Sequence, residues 1–334
     1  MTHKKVAIVQ IPPAILDLKE GVARAVTAIR EAAHQGAELI VFPESWLTGY
    51  PAWVFDLAIW DDAQARYWHG KFLEQCPTID SDSLLPIRQA AADCNVNVLL
   101  GLNERARAHA GSIYNSTLLI GPQGQTLNVH RKLTPTHTER IAWAQGDGAG
   151  LNVTASSVGR IGSLICWEHW HPLMRQTMHF QDEEIHVACW PDMADSHIVS
   201  VKHYAFEGRC FVISAAQYLR ASDVPEPLRE AYRKGLGNTG AVMEDDSIFF
   251  NGGSGVAGPN GEWVIAPTFN ESGIIYASLN LEEVYQYKHD LDVVGHYSRS
   301  DVFQLSVNRM ARESVSLLDN EPTHSAFSLR QNDH

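Results

Sequence analysis

Short apolar runs alternate with stretches of helical periodicity through the first hundred residues, and this alternation restricts the possible folds more than any other feature. Residues 6–10 read as a strand. Residues 17–36 follow as a helix, with Leu18, Val22, Ala25, Val26, Ile29 and Ala33 near helical spacing. The next run, ELIVFPE at 38–44, is continuously apolar, of strand length, and ends at Pro43 and Glu44. Strand, helix and strand in this order make a βαβ unit, in which the two strands lie parallel and the helix crosses one face. A second helix over 83–95 and a strand over 97–104 continue the pattern.

The rhythm then changes. Residues 115–132 read as strand, Gly-Pro-Gln-Gly turn and strand, and 254–267 repeat the form around Gly258-Pro259-Asn260-Gly261. Between them lie strands at 158–166, 185–191 and 211–216, with helices near 172–180 and 197–208. Parallel units mixed with hairpins predict an α/β protein: a mixed sheet, or two stacked sheets, covered by helices. Residues 221–247 are polar, contain Pro225, Pro227 and Gly235-Leu236-Gly237, and read as a long surface loop. No linker divides the chain before about residue 305. The expected organisation is one domain over 1–308 and a polar tail over 309–334.

Composition narrows the function. Of 334 residues, 45% are apolar and 19% charged, enough to bury a substantial core without staples. Lys and Arg number 26 against 39 Asp and Glu, a net charge of −13 that repels phosphate backbones and anionic lipid; nucleic acid and membrane are poor partners. No apolar run reaches 18 residues. The N-terminus carries basic then apolar residues, but Gln10, Pro12 and Pro13 interrupt the run and no small-residue cleavage site follows, so it reads as a first strand. Five cysteines (76, 94, 166, 189 and 210) are odd in number and form no CxxC pair, which argues for a reducing, cytoplasmic setting with free thiols.

Three positions invite chemistry. Cys166 closes a strand-like run, where α/β folds present reactive groups; a thiol there needs a cation or base to attack, and taken alone it reads equally as a small buried hydrophobe. Glu44 ends another buried strand, which makes it a general-base candidate, or else a cap of the following turn. Lys132 follows a hairpin strand, with Glu139 seven residues on; a lysine beside a thiol lowers its pKa and steadies negative charge, although a lone basic run is more often solvated.

Taken together, a strand-end glutamate, a lysine and a strand-end cysteine resemble the Glu-Lys-Cys set of the nitrilase superfamily. Phe42-Pro43-Glu44 is similar to its glutamate strand. The segment from His130 to Arg140, with Lys132 and Glu139, is similar to its lysine segment, and Cys166-Trp167-Glu168-His169 resembles the nucleophile motif of the nitrilase branch. Residues 143–148 (WAQGDG) and 295–299 (GHYSR) add two further likenesses. The resemblance, over about residues 4 to 308, implies a four-layer α-β-β-α sandwich and face-to-face homodimers that build larger spirals. It implies hydrolysis of an organic nitrile to carboxylic acid and ammonia, with Cys166 as nucleophile, Glu44 as base, Lys132 as charge stabiliser and Glu139 as its support. Tyr50, Trp143, Trp167 and Trp190 are expected to border the substrate. The alternatives are amide or carbamoyl hydrolysis by the same set, or hydrolysis of cyanide. No cofactor or metal is implied: His169 and His171 are two apart, no HExxH occurs, and Gly146 to Gly150 lack the GxGxxG spacing of a nucleotide site.

Overall fold

The computed structural model describes residues 3–237 and 243–312. Among these residues, thirteen strands and seven α-helices follow in chain order. The first half contains β1 (His3–Gln10), α1 (Leu18–His34), β2 (Leu39–Val41), α2 (Ala63–Gln75), α3 (Leu85–Cys94), β3 (Asn97–Arg105), β4 (Ile113–Ile120) and β5 (Thr126–Arg131). After it come β6 (Thr154–Ser156), β7 (Gly159–Ile165), α4 (Pro172–His179), β8 (Ile185–Trp190), α5 (Asp195–Gly208) and β9 (Phe211–Ala216). The chain continues through β10 (Tyr218–Arg220), α6 (Glu226–Gly235), β11 (Ile248–Ala257), β12 (Trp263–Phe269), β13 (Gly273–Asn280) and α7 (Glu282–Tyr287). Helix α1 begins where Asp17 accepts a hydrogen bond from the Glu20 amide, and α3 ends where Asn95 turns left-handed.

The strands form two mixed sheets. The first has the order β13-β1-β2-β3-β4-β5; the second runs β10-β11-β9-β8-β7-β6, with β12 also paired to β11. Strand alternation sorts the core into layers. Val6, Ile8, Leu39, Val41 and Leu99 of the first sheet meet Val187, Cys189, Ile213 and Val256 of the second. Their neighbours point the other way. Ala7, Val9, Ile40 and Val98 pack under Val22, Ala25 and Ile29 of α1 and Ile87 of α3. On the far side, Leu164, Ala188 and Val212 pack under Met174 and Met178 of α4 and Val201 and Tyr204 of α5. The result is the expected α-β-β-α sandwich. β13, which the sequence pattern did not reveal, closes one edge by pairing antiparallel along all of β1.

One expectation fails. Residues 221–247 are not a long loop, because α6 occupies part of them. Its polar residues mask an amphipathic stripe in which Leu228, Ala231 and Tyr232 are buried, while Pro227 sits in the first turn, where a missing N–H is harmless. Tyr232 donates a hydrogen bond to the Tyr50 carbonyl, which ties α6 to the segment that carries Tyr50. Of the polar tail, residues 313–334 lie outside the described residues. Asn308 and Arg309 lie against Gly148, and the Arg312 amide donates to Asp147. Among the described residues no helix is long and apolar enough to cross a membrane.

Because Leu228 is fully buried in this packing, Leu228→Ala is expected to lower unfolding free energy by about 2–5 kcal/mol. Urea titration measures this, and a change within 0.5 kcal/mol of zero, the usual range for a surface site, would mean that α6 does not pack as described.

Candidate active site

Three segment ends converge between the sheets. β2 leads into Phe42-Pro43-Glu44, and the backbone of this turn passes so close to β3 that a Cβ at Gly101 would fall 1.9 Å from the Pro43 carbonyl. Only glycine admits that approach. Beyond β5, the Lys132 amide continues the ladder by donating to the Asn115 carbonyl at 2.8 Å. Beyond β7, Cys166 turns left-handed at φ 55°, a region costly for a residue with a Cβ, and a short helical turn over Cys166–Trp170 follows.

The side chains meet in a closed space. Lys132 Nζ lies 3.1 Å from Glu44 Oε1 and 2.7 Å from Glu139 Oε2, and all three groups are buried. Asn115 Nδ2 donates to Glu44 Oε1 at 2.6 Å, and Gln217 Nε2 donates to the Glu44 backbone carbonyl. Glu44 Oε2 is buried and has no hydrogen-bond partner among the described residues. Glu139 accepts from the Tyr50 hydroxyl at 2.9 Å and from the Thr136 amide at 2.6 Å. The Trp143 ring lies 6.0 Å from Lys132 Nζ and 5.5 Å from the Tyr50 ring, while its Nε1 donates to Asn103 at 2.9 Å.

Charges in this space perturb one another strongly. Burial, aided by the charge of Glu139 and opposed by Lys132, raises Glu44 to about 7. Burial draws Lys132 down, but Cys166, Glu44 and Glu139 together outweigh it and the ammonium is held. Burial pushes the Cys166 thiol up, against the pull of Lys132. A neutral thiol therefore lies beside a carboxyl that exchanges its proton near neutrality and an ammonium that does not.

Of the expected residues, Glu44, Lys132, Glu139, Tyr50 and Trp143 share these contacts, and Cys166 feels the charges of the first three. Trp167 stands at the edge, with Nε1 donating to the Thr134 carbonyl at 2.8 Å. Trp190 belongs with Cys166 to one buried apolar cluster. It faces the helix layer, completely buried, with its ring 4.3 Å from His197. The sequence reading gave no role to Asn115 or Gln217, which hold Glu44, nor to His130. The available signal was a polar triplet, Asn115-Ser116-Thr117, inside an otherwise apolar strand.

Glu168 joins the lysine and cysteine segments. Its carboxylate is fully buried and accepts from the Leu133 amide at 2.8 Å and the Ile165 amide at 2.9 Å, with His130 Nε2 at 2.8 Å. Burial opposes its charge, yet His130 and the two amides hold its pKa below the ordinary glutamate value. The residue after Lys132 and the residue before Cys166 thus share one anion.

The carbon-nitrogen hydrolase family profile matches residues 5–289. Among curated relatives, an aliphatic nitrilase of Sinorhizobium fredii is 33% identical over 317 residues, covering 94% of this chain and 99% of its own. An arylacetonitrilase of Aspergillus oryzae is 34% identical over 328 residues, covering 93% of each chain. Among solved structures, a carbon-nitrogen hydrolase from Helicobacter pylori superposes with a TM-score of 0.69 at 18% identity, over 90% of this chain and 97% of that one. It shares the fold.

Replacing Glu168 by Gln offers the two amides and His130 a single acceptor oxygen in place of two. An orphaned buried donor costs about 1–3 kcal/mol, so Glu168→Gln should unfold at measurably lower denaturant than the wild type. An unchanged urea midpoint would remove Glu168 from this bridging role.

Proposed function

The chain belongs to the carbon-nitrogen hydrolase family, and from that premise we propose that it is a nitrilase, hydrolysing an organic nitrile with two waters to a carboxylic acid and ammonia. The observation that carries this reading is the buried ammonium of Lys132, shared between Glu44 and Glu139, with the second oxygen of Glu44 unpartnered among the described residues and the Cys166 thiol within reach of all three charges. The names of the relatives, aliphatic nitrilase and arylacetonitrilase, support the nitrile as substrate class.

In this reading Glu44 takes the thiol proton as sulfur attacks the nitrile carbon. The S–C bond forms, one C–N π pair moves to nitrogen, and nitrogen receives the proton to give a covalent thioimidate. Burial keeps the free thiol neutral, so proton removal is coupled to attack and the ammonium stabilises the charge that develops. Glu44 then activates water. The tetrahedral carbon carries sulfur, oxygen and nitrogen; protonated nitrogen leaves as ammonia, and the remaining thioester is hydrolysed by a second water to free the acid. If sulfur left first, the product would be an amide. Lys132, steadied by Glu139, biases the split towards ammonia. Tyr50 and Trp143, packed against the charged groups, are the aromatics assigned to the substrate wall. Trp170, Leu173, Phe180, Val199 and Phe206 are apolar, exposed and clustered in sequence at α4 and α5, which supports pairing of two copies through those helices.

The test is a panel of aliphatic, arylacetic and aromatic nitriles with their amides, with acid, amide and ammonia all quantified. Acid is expected as the main product from at least one nitrile, no turnover from a folded Cys166→Ala protein, and a larger amide fraction from Glu139→Gln. Turnover of amides alone, or wild-type rates in Cys166→Ala, would overturn the reading.

A pH dependence follows from Glu44. The base must be ionised to accept a proton, and its value is raised to about 7, so kcat/KM should climb as pH rises through 7 and fall away below it. Glu44→Gln should lose roughly 10²–10⁴-fold in rate. A profile flat between pH 5 and 7 would withdraw Glu44 from that role.

A further inference from the structure

A second polar chain starts at the carbonyl of the cysteine turn, and the reaction as written does not use it. His169 Nδ1 is 2.7 Å from the Cys166 carbonyl oxygen, and His169 Nε2 is 2.9 Å from His186 Nε2. His186 Nδ1 is in turn 2.6 Å from Glu183 Oε1, and the Tyr204 hydroxyl donates to Glu183 Oε2 at 2.8 Å. All four side chains are buried. The space for the carboxyl exists because β7 carries a glycine there: a Cβ at Gly162 would fall 1.9 Å from Glu183 Oε1.

Counting protons along this chain constrains its charge. A carbonyl only accepts, so His169 Nδ1 must carry a hydrogen. Three bonds run from the Cys166 carbonyl to Glu183 Oε1, and each requires one proton. Two neutral imidazoles supply two. The third belongs to the acid form of Glu183, or equivalently to an imidazolium facing its carboxylate, and the chain as a whole is neutral either way. Burial selects between these forms by disfavouring charge. It drives His169 and His186 well below the ordinary histidine value and raises Glu183 to about 8, against the opposing influence of His179 and Tyr204.

We propose that Glu183 is a positioning residue: as a buried neutral acid it donates, through His186 and His169, to the Cys166 carbonyl and so holds the strained turn that presents the thiol. The carbonyl and the next N–H of a trans peptide point in opposite directions. Fixing the Cys166 carbonyl towards His169 therefore directs the Trp167 amide towards the sulfur, where the N–H favours the thiolate. When Glu183 ionises without a compensating proton, two protons remain for three bonds, one contact sets lone pair against lone pair, and the peptide is released.

The surroundings bear on where this occurs. On α4, His179 Nδ1 stands 4.0 Å from Glu183 Oε2, while its Nε2 lies 3.3 Å from Glu207. Glu207 on α5 is also paired with Arg175 at 2.6 Å. The Cys210 thiol borders the carboxyl and feels Lys288, and the charges of His130 and Glu168 reach His186.

The proposal rests on Cys166 as nucleophile, so one measurement is made on the resting protein and the other on turnover. Infrared difference spectra between wild type and Glu183→Gln should show a protonated-carboxyl stretch at pH 7 that belongs to Glu183 and disappears near pH 8. A glutamine amide donates to His186 as the acid does but does not titrate. The wild-type kcat should accordingly decline above pH 8, a decline that Glu183→Gln abolishes. Glu183→Ala should lose on the order of tenfold to a hundredfold in kcat, a loss that the Gln variant largely restores. Absence of the acid stretch at pH 7, or an alkaline decline unchanged in Glu183→Gln, would overturn the proposal. Failure of the nitrilase reading itself would appear separately, as an active Cys166→Ala.

Discussion

A buried ammonium has to be paired, and the placement of the surrounding groups follows from the need to pair Lys132. Removing a charge from water costs several kcal/mol even after relaxation, and only close opposite charges and hydrogen bonds offset this. Glu44 and Glu139 supply them from two separate segments, one at a strand end and one in a short helical turn whose Thr136 amide holds the second carboxylate. Two carboxylates around one cation leave excess negative charge, which together with burial raises Glu44 towards neutrality. The same pairing that makes the lysine tolerable thus tunes the base.

The backbone is arranged to bring these ends together. A glycine in β3 lets the Glu44 turn approach to contact distance, a ladder bond extends β5 by one residue to Lys132, and Cys166 occupies a left-handed conformation at the end of β7. Strained conformations persist only when the surroundings over-determine them. Here the Cys166 turn is held at two points: Glu168 accepts from the Ile165 amide before it, and His169 donates to the Cys166 carbonyl.

A raised value sets activity against stability at Glu44, whereas at Glu183 both favour the protonated acid. Glu44 and Glu183 both bind protons more tightly in the folded chain than in the unfolded one. Their contribution to folding is therefore complete below pH 4.5 and is lost as pH rises through about 7 and about 8. The ionised base required for turnover and the fully protonated, most favourable folded state belong to opposite ends of that window.

Much of this was legible in the sequence. Strands β1, β3 and β7 and helices α1, α3 and α5 follow from local apolar runs and periodicity, because apolar spacing reports which face is buried. The motifs around Glu44, Lys132 and Cys166 marked those residues before any geometry was known. The sequence alone did not reveal α6, whose narrow apolar stripe of Leu228, Ala231 and Tyr232 is diluted by charges, nor β13, which becomes a strand by completing the edge of β1. It equally could not show that Trp190 turns to the helix layer while Tyr50 and Trp143 turn to the charged cluster, since an aromatic looks alike from either side of a sheet. Local sequence determined the elements and the kinds of reactive group. Which buried partner each group meets, and so which proton it holds, was decided only by the tertiary structure, because charge pairing, hydrogen bonding and desolvation depend on residues far apart in the chain, as Gln217 and Glu44 are at 173 positions.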